Sequence, residues 1–140
     1  MISNDYTNSA KGRYPIEWET APNFSRYLIS DTGLVYSLIS DKLVQQVDIN
    51  GRGYLLARIY NDDGKLKQMR IHRLVYMAHR GAIPDGMQIN HKDECKTNNC
   101  IENLEVVTCK QNINYGTANK RRAKSIKRYY RERRQAVACC

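Results

Sequence analysis

The sequence has 140 residues, enough for one ordinary domain core or two small modules that share one, and too few for two independent domains. No apolar run approaches the roughly 18 residues of a membrane span, and the polar first residues contain no export signal. We therefore expect a soluble cytoplasmic protein without a membrane partner. The sequence contains five cysteines, an odd number, and their spacing is irregular. This pattern favours free thiols over a disulfide framework.

The net charge of +9 is concentrated at the carboxyl end. Residues 117–140 contain nine Lys and Arg against the single acid Glu132, and the rest of the chain is nearly balanced. A cationic segment beside a nearly neutral body is typical of a protein that binds a polyanion, most commonly nucleic acid. The alternative is a solvated basic tail without a specific partner.

The first 70 residues predict a polar lead over 1–15 and a β-rich module over 16–70. Tyr27 to Ile29 and Leu34 to Tyr36 flank the turn sequence "SDTG", which predicts a hairpin. Further strands are predicted at "KLVQQV", "GYLLARIY" and "LKQMRI", with the last two separated by the turn "NDDGK". The expected structure of this half is one small antiparallel sheet.

The pattern then changes to a short helix, two strands and a second helix. "HRLVYMAH", which begins at His72, has apolar residues at helical spacing. "MQINH" predicts a strand that ends at His91, and "LEVVT" predicts the returning strand after a long polar loop. Thr108 and Gln111 form a capping-box pattern, so a helix should begin at Cys109 and carry Asn112.

The basic segment over 117–140 consists of good helix formers. Ala123, Ile126, Tyr130 and Val137 form a thin apolar stripe, and Lys and Arg surround it. A basic helix of about 20 residues would be roughly 30 Å long, comparable to one turn of duplex DNA. The predicted fold is therefore α+β, with a sheet module, a compact strand and helix core, and a basic terminal helix.

Three polar residues in this core are placed to converge on one site. His91 ends the first strand, Asn103 closes the loop before the second, and Asn112 projects from the capped helix. An imidazole with a reference pKa of about 6.5 suits a general base, and the amide oxygens of Asn90 and Asn112 are ligands that Mg²⁺ accepts. The pattern indicates metal-assisted phosphodiester hydrolysis, although each Asn also has an alternative role as a turn or capping residue.

The stretch "HRLVYMAHRGAIPDGMQINHKDECKTNNCIENLEVVTCKQN" resembles the core of HNH endonucleases, also called the ββα-metal motif, in its phage and intron homing form. The resemblance implies that His91 is the general base, that Asn90 and Asn112 bind one metal ion, and that Asn103 ties the loop and orients the histidine. Many relatives have Asp or His at the position of Asn90 and Gly at the position of Cys95. Upstream, "YLISDTGLVYS" resembles the nuclease-associated modular motif that precedes such cores.

Together the resemblances imply a metal-dependent endonuclease of phage homing type that nicks or cuts double-stranded DNA, acting in the host cell. Mg²⁺ or Mn²⁺ would be bound at one ion per site, and the cysteine spacings argue against a structural zinc. The basic segment would contact phosphates through six residues: Lys120, Arg121, Arg122, Lys124, Lys127 and Arg128. The alternatives are a DNA-binding protein with a degenerate core and a restriction or packaging nuclease, and the sequence leaves monomer or homodimer open.

Overall fold

The computed structural model describes residues 16–138, so the predicted polar lead over 1–15 and the final two cysteines lie outside the described residues. Its architecture is α+β, as predicted, with nine strands and three helices in the described part of the chain. The elements are β1 Trp18–Ala21, β2 Phe24–Ser30, β3 Val35–Ser37, β4 Lys42–Leu43, β5 Gln46–Val47, β6 Leu56–Tyr60, β7 Leu66–Arg70, α1 Ile71–Arg80, β8 Met87–His91, β9 Leu104–Thr108, α2 Cys109–Asn114 and α3 Ala118–Ala138.

The first sheet contains β1 to β4 in sequence order, and its neighbouring strands are antiparallel. The predicted hairpin is confirmed, because Tyr27 pairs with Ser37 and Ile29 with Val35. Its turn is closed by the hydroxyl of Ser30, whose Oγ accepts a hydrogen bond of 2.7 Å from the backbone N–H of Leu34. The side chains of Ile29 and Val35 are fully buried, so this hairpin forms part of the core.

The prediction of one sheet in this half is wrong, because β5, β6 and β7 form a second antiparallel sheet. The segment "KLVQQV" does not form one strand but divides between the sheets. Lys42 and Leu43 pair with β3, and Gln46 and Val47 pair with β6. The residues of this segment favour a β-strand equally well in either sheet. The local sequence therefore does not indicate that the segment divides between two sheets.

Helix α1 packs against β1, β2, β7 and β8. It begins at Ile71, one residue before the predicted start, and its buried face comprises Ile71, His72, Leu74 and Val75. These side chains join Ile29, Val35, Ala57 and Ile59 in one apolar cluster that draws on both sheets. The core therefore connects the N-terminal sheets to the segment that follows them.

The predicted hairpin and capped helix after α1 are confirmed. Strands β8 and β9 pair antiparallel, with His91 opposite Leu104. The Oγ1 of Thr108 accepts from the N–H of Gln111, and the Gln111 side chain accepts from the N–H of Thr108, which completes the capping box. Helix α3 follows as the predicted basic helix. Within residues 16–138 no helix is long and apolar enough to cross a membrane.

Candidate active site

His91 is the last residue of β8, and its side chain is buried at 4% exposure. Its Nε2 lies 2.9 Å from Oδ1 of Asn99. Since an amide oxygen only accepts hydrogen bonds, Nε2 carries the proton and donates, which leaves the lone pair on Nδ1. Within residues 16–138 Nδ1 has no hydrogen-bond partner. This tautomer is the one required of a base that takes a proton through Nδ1.

Two further rings enclose the imidazole of His91. The ring of His72 packs edge-on at a centroid distance of 5.0 Å, and the ring of Tyr54 lies 6.1 Å away. Burial is the main cause that lowers the pKa of His72 to about 3, and a proton on His91 and the charges of Arg70 and Arg73 act in the same direction. His72 is therefore a neutral ring packed at the start of α1, and it places no positive charge beside His91.

The two predicted metal ligands both orient their amides in the same way. The Nδ2 of Asn90 donates to Oε1 of Glu105 at 2.8 Å, and the Nδ2 of Asn112 donates to Oε1 of Gln88 at 2.7 Å. In each amide the nitrogen donates a hydrogen bond to a neighbouring side chain. Within the described residues each Oδ1 is left without a donor, and both Asn residues line the same cavity as His91. Two neutral oxygen donors suit a divalent cation that keeps most of its waters.

Asn103 organises the loop between β8 and β9. Its Nδ2 donates to Oδ1 of Asp93 and to the carbonyl of Asn98, both at 2.9 Å, and its Oδ1 accepts from the N–H of Asp93 at 3.0 Å. Hydrogen bonds from Asn98, the Cys95 amide and Asn103 lower the pKa of the Asp93 carboxyl. Asn103 therefore ties the loop together, but it forms no hydrogen bond with His91.

The side chain that contacts His91 is Asn99, a residue that the sequence analysis did not assign. Asn99 is 3% exposed and lies eight residues after His91. Its place in the "KTNN" stretch was visible, but one Asn among several in a polar loop gives no sign of which amide faces the histidine. Asn103 thus acts on the loop, and the orienting contact comes from Asn99.

In relatives we expected Gly at the position of Cys95. In this loop, however, the residue with a left-handed backbone conformation is Glu94. Glu94 has φ of +61°, a conformation that costs a non-glycine residue about 1 kcal/mol. Its carboxylate accepts from the N–H and Oγ1 of Thr117 and forms an ion pair of 3.3 Å with Arg121. The bonds from Thr117, followed by the Arg121 charge, lower the pKa of Glu94. Glu94 thereby fixes the start of α3 beside the site.

These residues surround an open cavity of about 320 Å³. Its lining includes Asn90, His91 and Asn112, and a rim of exposed cations that comprises Lys96, Arg121 and Arg122. The one acid among its described lining residues is Glu94, which is paired with Arg121, so the rim keeps an excess of positive charge. Such a rim around an imidazole and two amide oxygens is suited to a phosphate group. The structure thus brings together three of the four predicted catalytic and metal residues, with Asn103 supporting them from the loop.

The predicted DNA-binding residues all lie in α3, but in two different settings. Arg121 and Arg122 line the cavity, whereas Lys120, Lys124 and Lys127 recur every three or four residues along one exposed face. Arg128 is exposed and forms an ion pair of 3.7 Å with Glu132. The helix therefore extends a basic surface away from the cavity.

Comparisons with known proteins agree with this geometry. Residues 70–113 match the HNH endonuclease family. The chain is 34% identical over 116 residues to DNA endonuclease I-HmuI of Bacillus phage SP01, covering 79% of this chain and 66% of that protein. It is 36% identical over 108 residues to the uncharacterized HNH endonuclease L245 of Acanthamoeba polyphaga mimivirus, covering 77% and 31% respectively. The chain thus spans less than two thirds of the length of these curated relatives.

A solved structure described as DNA binding and cleavage by the HNH homing endonuclease I-HmuI superposes with a TM-score of 0.66 at 31% identity. The superposition covers 80% of this chain and 66% of that one. HNH nucleases act with a divalent metal ion, a requirement that the paired amide oxygens of Asn90 and Asn112 fit. By sequence match, fold and site, this chain belongs to the HNH endonuclease family.

Proposed function

We propose that the chain is a metal-dependent DNA endonuclease of the phage homing type, with His91 as its general base. The observation that carries the proposal is the orientation of His91: its Nε2 is occupied by Asn99, so that Nδ1 keeps its lone pair beside the cavity that Asn90 and Asn112 line. A base, two oxygen donors and a cationic rim are the groups that phosphodiester hydrolysis requires.

In the proposed reaction His91 takes a proton from a water molecule through Nδ1, and the resulting hydroxide attacks phosphorus. The bond from phosphorus to the 3′-oxygen breaks, and this oxygen takes a proton from solvent. The products carry a 5′-phosphate and a 3′-hydroxyl. Mg²⁺ or Mn²⁺ bound by Asn90 and Asn112, one ion per site, would neutralise charge on the phosphate and on the departing oxygen. When His91 takes up this proton, the neutral ring of His72 adds no repelling charge. The hydrogen bond from Nε2 to Asn99 is kept.

The loop residue Asn103 has a supporting role in this scheme. It contacts no part of the imidazole, but it fixes Asp93 and Asn98 and so fixes the backbone on either side of the loop. The cations Lys96, Arg121 and Arg122 at the rim would contact the phosphates next to the one cleaved.

DNA would lie along α3 and the outer face of β6 and β7. Helix α3 has 21 residues, roughly 30 Å of basic surface, and its first turn lines the cavity. We assign phosphate contacts to the six residues named from the sequence, with Arg121 and Arg122 nearest the cleaved bond. The outer face of β6 and β7 exposes Arg58, Gln68 and Arg70, and Arg70 stacks on Tyr54 next to His91.

The test is a nicking assay on supercoiled plasmid that contains the target region, with Mg²⁺, with Mn²⁺ and with EDTA. The proposal predicts relaxed or linear DNA with either ion, intact plasmid in EDTA, and nicks that DNA ligase reseals because the ends are 5′-phosphate and 3′-hydroxyl. A protein that binds the plasmid but leaves it intact at every metal concentration would instead be the non-cleaving DNA-binding protein.

A further inference from the structure

The turn between β2 and β3 lies directly against the loop that carries Asn99. A methyl group placed on Gly33 would lie 2.9 Å from Cβ of Asn99, closer than carbon atoms approach in proteins, and 3.6 Å from Cγ2 of Ile71. Gly33 also has φ of +102°. Glycine is therefore required here both by the backbone conformation and by the close approach of Asn99.

This turn is held in place by hydrogen bonds from several directions. The N–H of Ile101 donates to the carbonyl of Asp31 at 2.8 Å, which joins the turn to the β8–β9 loop. The Nε2 of Gln46 donates to the carbonyl of Gly33 at 2.6 Å. Ser30, which is fully buried, closes the turn from within. Because three hydrogen bonds fix this turn, its position restricts the position of Asn99, which packs against it.

Asn99 is thus confined between the turn and the imidazole. Its Cβ faces Gly33 and its Oδ1 accepts from Nε2 of His91. At 3% exposure it has little room to adopt another rotamer. A displacement at Gly33 therefore moves the amide that determines which nitrogen of His91 carries the proton.

We propose that Asn99 is a positioning residue that fixes His91 in the Nε2–H tautomer, and that the Gly33 turn of the N-terminal sheet sets the position of Asn99. The N-terminal module is then a structural part of the active site and not only a surface for DNA. The consequence for cleavage rests on the proposed function, whereas the tautomer is a property of the folded chain alone.

The tautomer is measured directly by long-range ¹H–¹⁵N correlation on the full chain with ¹⁵N-labelled histidine, with His91 assigned from the spectrum of His91→Gln. We expect the Nε2–H form in the wild type, and a mixture of tautomers in Asn99→Ala and in Gly33→Ala. Gly64→Ala is the matched control, because Gly64 has φ of +75° but open space around it. It should leave the His91 signals unchanged.

Asn99→Asp separates positioning from folding, since it keeps an acceptor of the same shape. It should keep the Nε2–H tautomer, because a carboxylate oxygen accepts from Nε2 as the amide oxygen does. An Nδ1–H tautomer in the wild type, or a wild-type tautomer in both Asn99→Ala and Gly33→Ala, would overturn the proposal even if either variant were less stable.

Cleavage supplies the second readout. Asn99→Ala and Gly33→Ala should lower the single-turnover rate by about 10- to 100-fold with the Kd for DNA unchanged, and Gly64→Ala should cleave like the wild type. If the wild type never cleaves, the proposed function fails while the tautomer experiment still decides the role of Asn99. If the wild type cleaves and both variants keep its rate and tautomer, the positioning proposal fails alone.

Discussion

Asn90 lines the cavity, and its Nδ2 donates to Glu105 across the β8–β9 pair. In the proposed site its Oδ1 is a metal ligand. A carboxylate at this position would give a metal ion a full negative charge in place of a carbonyl dipole, but it would also face the carboxylate of Glu105 at the distance of a hydrogen bond. The neutral amide avoids that repulsion, and in the proposed site it would bind the ion less tightly than a carboxylate.

We predict that Asn90→Asp lowers the Mg²⁺ concentration for half-maximal cleavage, and that adding Glu105→Gln enlarges the shift to about tenfold, or about 1.4 kcal/mol. The Gln side chain restores a donor between the two strands. Titration of Mg²⁺ at saturating DNA measures this, with Asn112→Ala expected to need more metal or to be inactive. If both Asp variants titrate like the wild type, Asn90 is a strand residue that joins β8 to Glu105 of β9 and not a ligand.

His72 makes stability depend on pH. Its pKa is about 3 in the folded chain against 6.5 for an exposed histidine, chiefly because it is buried. Between these values the unfolded chain binds the extra proton, so stability is present above pH 6.5 and falls as the pH is lowered. The Asp93 and Glu94 carboxyls, whose pKa values are lowered, contribute only at more acidic pH.

His72→Gln should therefore reduce the slope of unfolding free energy against pH by about 1 kcal/mol per unit between pH 6.5 and 5. Urea denaturation at several pH values measures the slope, and both proteins carry His91→Gln so that the contact between His72 and His91 does not enter the difference. Equal slopes with and without His72 would mean that folding does not lower the pKa of His72.

At the residue scale the sequence could predict the groups that stand at element ends. His91 ends a strand and Asn112 follows a capping box, so their positions follow from local patterns. Asn99 and Glu94 could not be predicted, because their roles depend on the contact with Gly33 and on the packing of Thr117 against the loop. Such contacts join segments that are distant in sequence.

At the element scale, strong local signals succeeded and weak ones did not. The "SDTG" hairpin, the capping box at Thr108 and the long basic helix all follow from turn chemistry or helix propensity. The division of "KLVQQV" between two sheets does not, because the identity of a strand's partner is decided by tertiary packing. We predicted a single sheet because the sequence does not indicate which strands pair with each other.

Helix α3 is the element whose role is most open to measurement. Its three lysines Lys120, Lys124 and Lys127 form no ion pair in the described structure, whereas Arg121 is paired with Glu94 near the site. Changing these three lysines to Gln should weaken DNA binding and lower the slope of log Kd against log salt by roughly one unit for each phosphate that the helix no longer neutralises. Deleting the helix would be less informative, since it would also remove Arg121, the ion-pair partner of Glu94.

Fluorescence anisotropy with duplex DNA at several salt concentrations measures this slope. Glu132→Gln, which removes the acidic partner of Arg128 on the same helix, should tighten binding slightly and serves as the control of opposite sign. A triple variant with the wild-type salt slope would mean that α3 is a solvated helix that does not contact the duplex.

At the scale of the whole molecule, one apolar core joins the two N-terminal sheets to α1, β8 and β9. The cavity draws its walls from several of these parts: Tyr54 precedes β6, His91 ends β8, Asn112 lies in α2 and Arg121 in α3. DNA contacts proposed for the sheets and for α3 would therefore converge on the same bond. This shared packing is why the site cannot be described from the HNH segment alone.

The proposed function depends above all on His91 activating the water that cleaves DNA, and single-turnover cleavage by His91→Ala measures that dependence. Loss of a positioned general base should lower the rate by about 10² to 10⁴, with the Kd for DNA unchanged because the imidazole does not contribute to the basic surface. His79→Gln is the control, since His79 lies on α1 and its Nε2 contacts the carbonyl of Ile29; it should cleave at the wild-type rate. Cleavage by His91→Ala within a few-fold of the wild type would show that His91 is not the base.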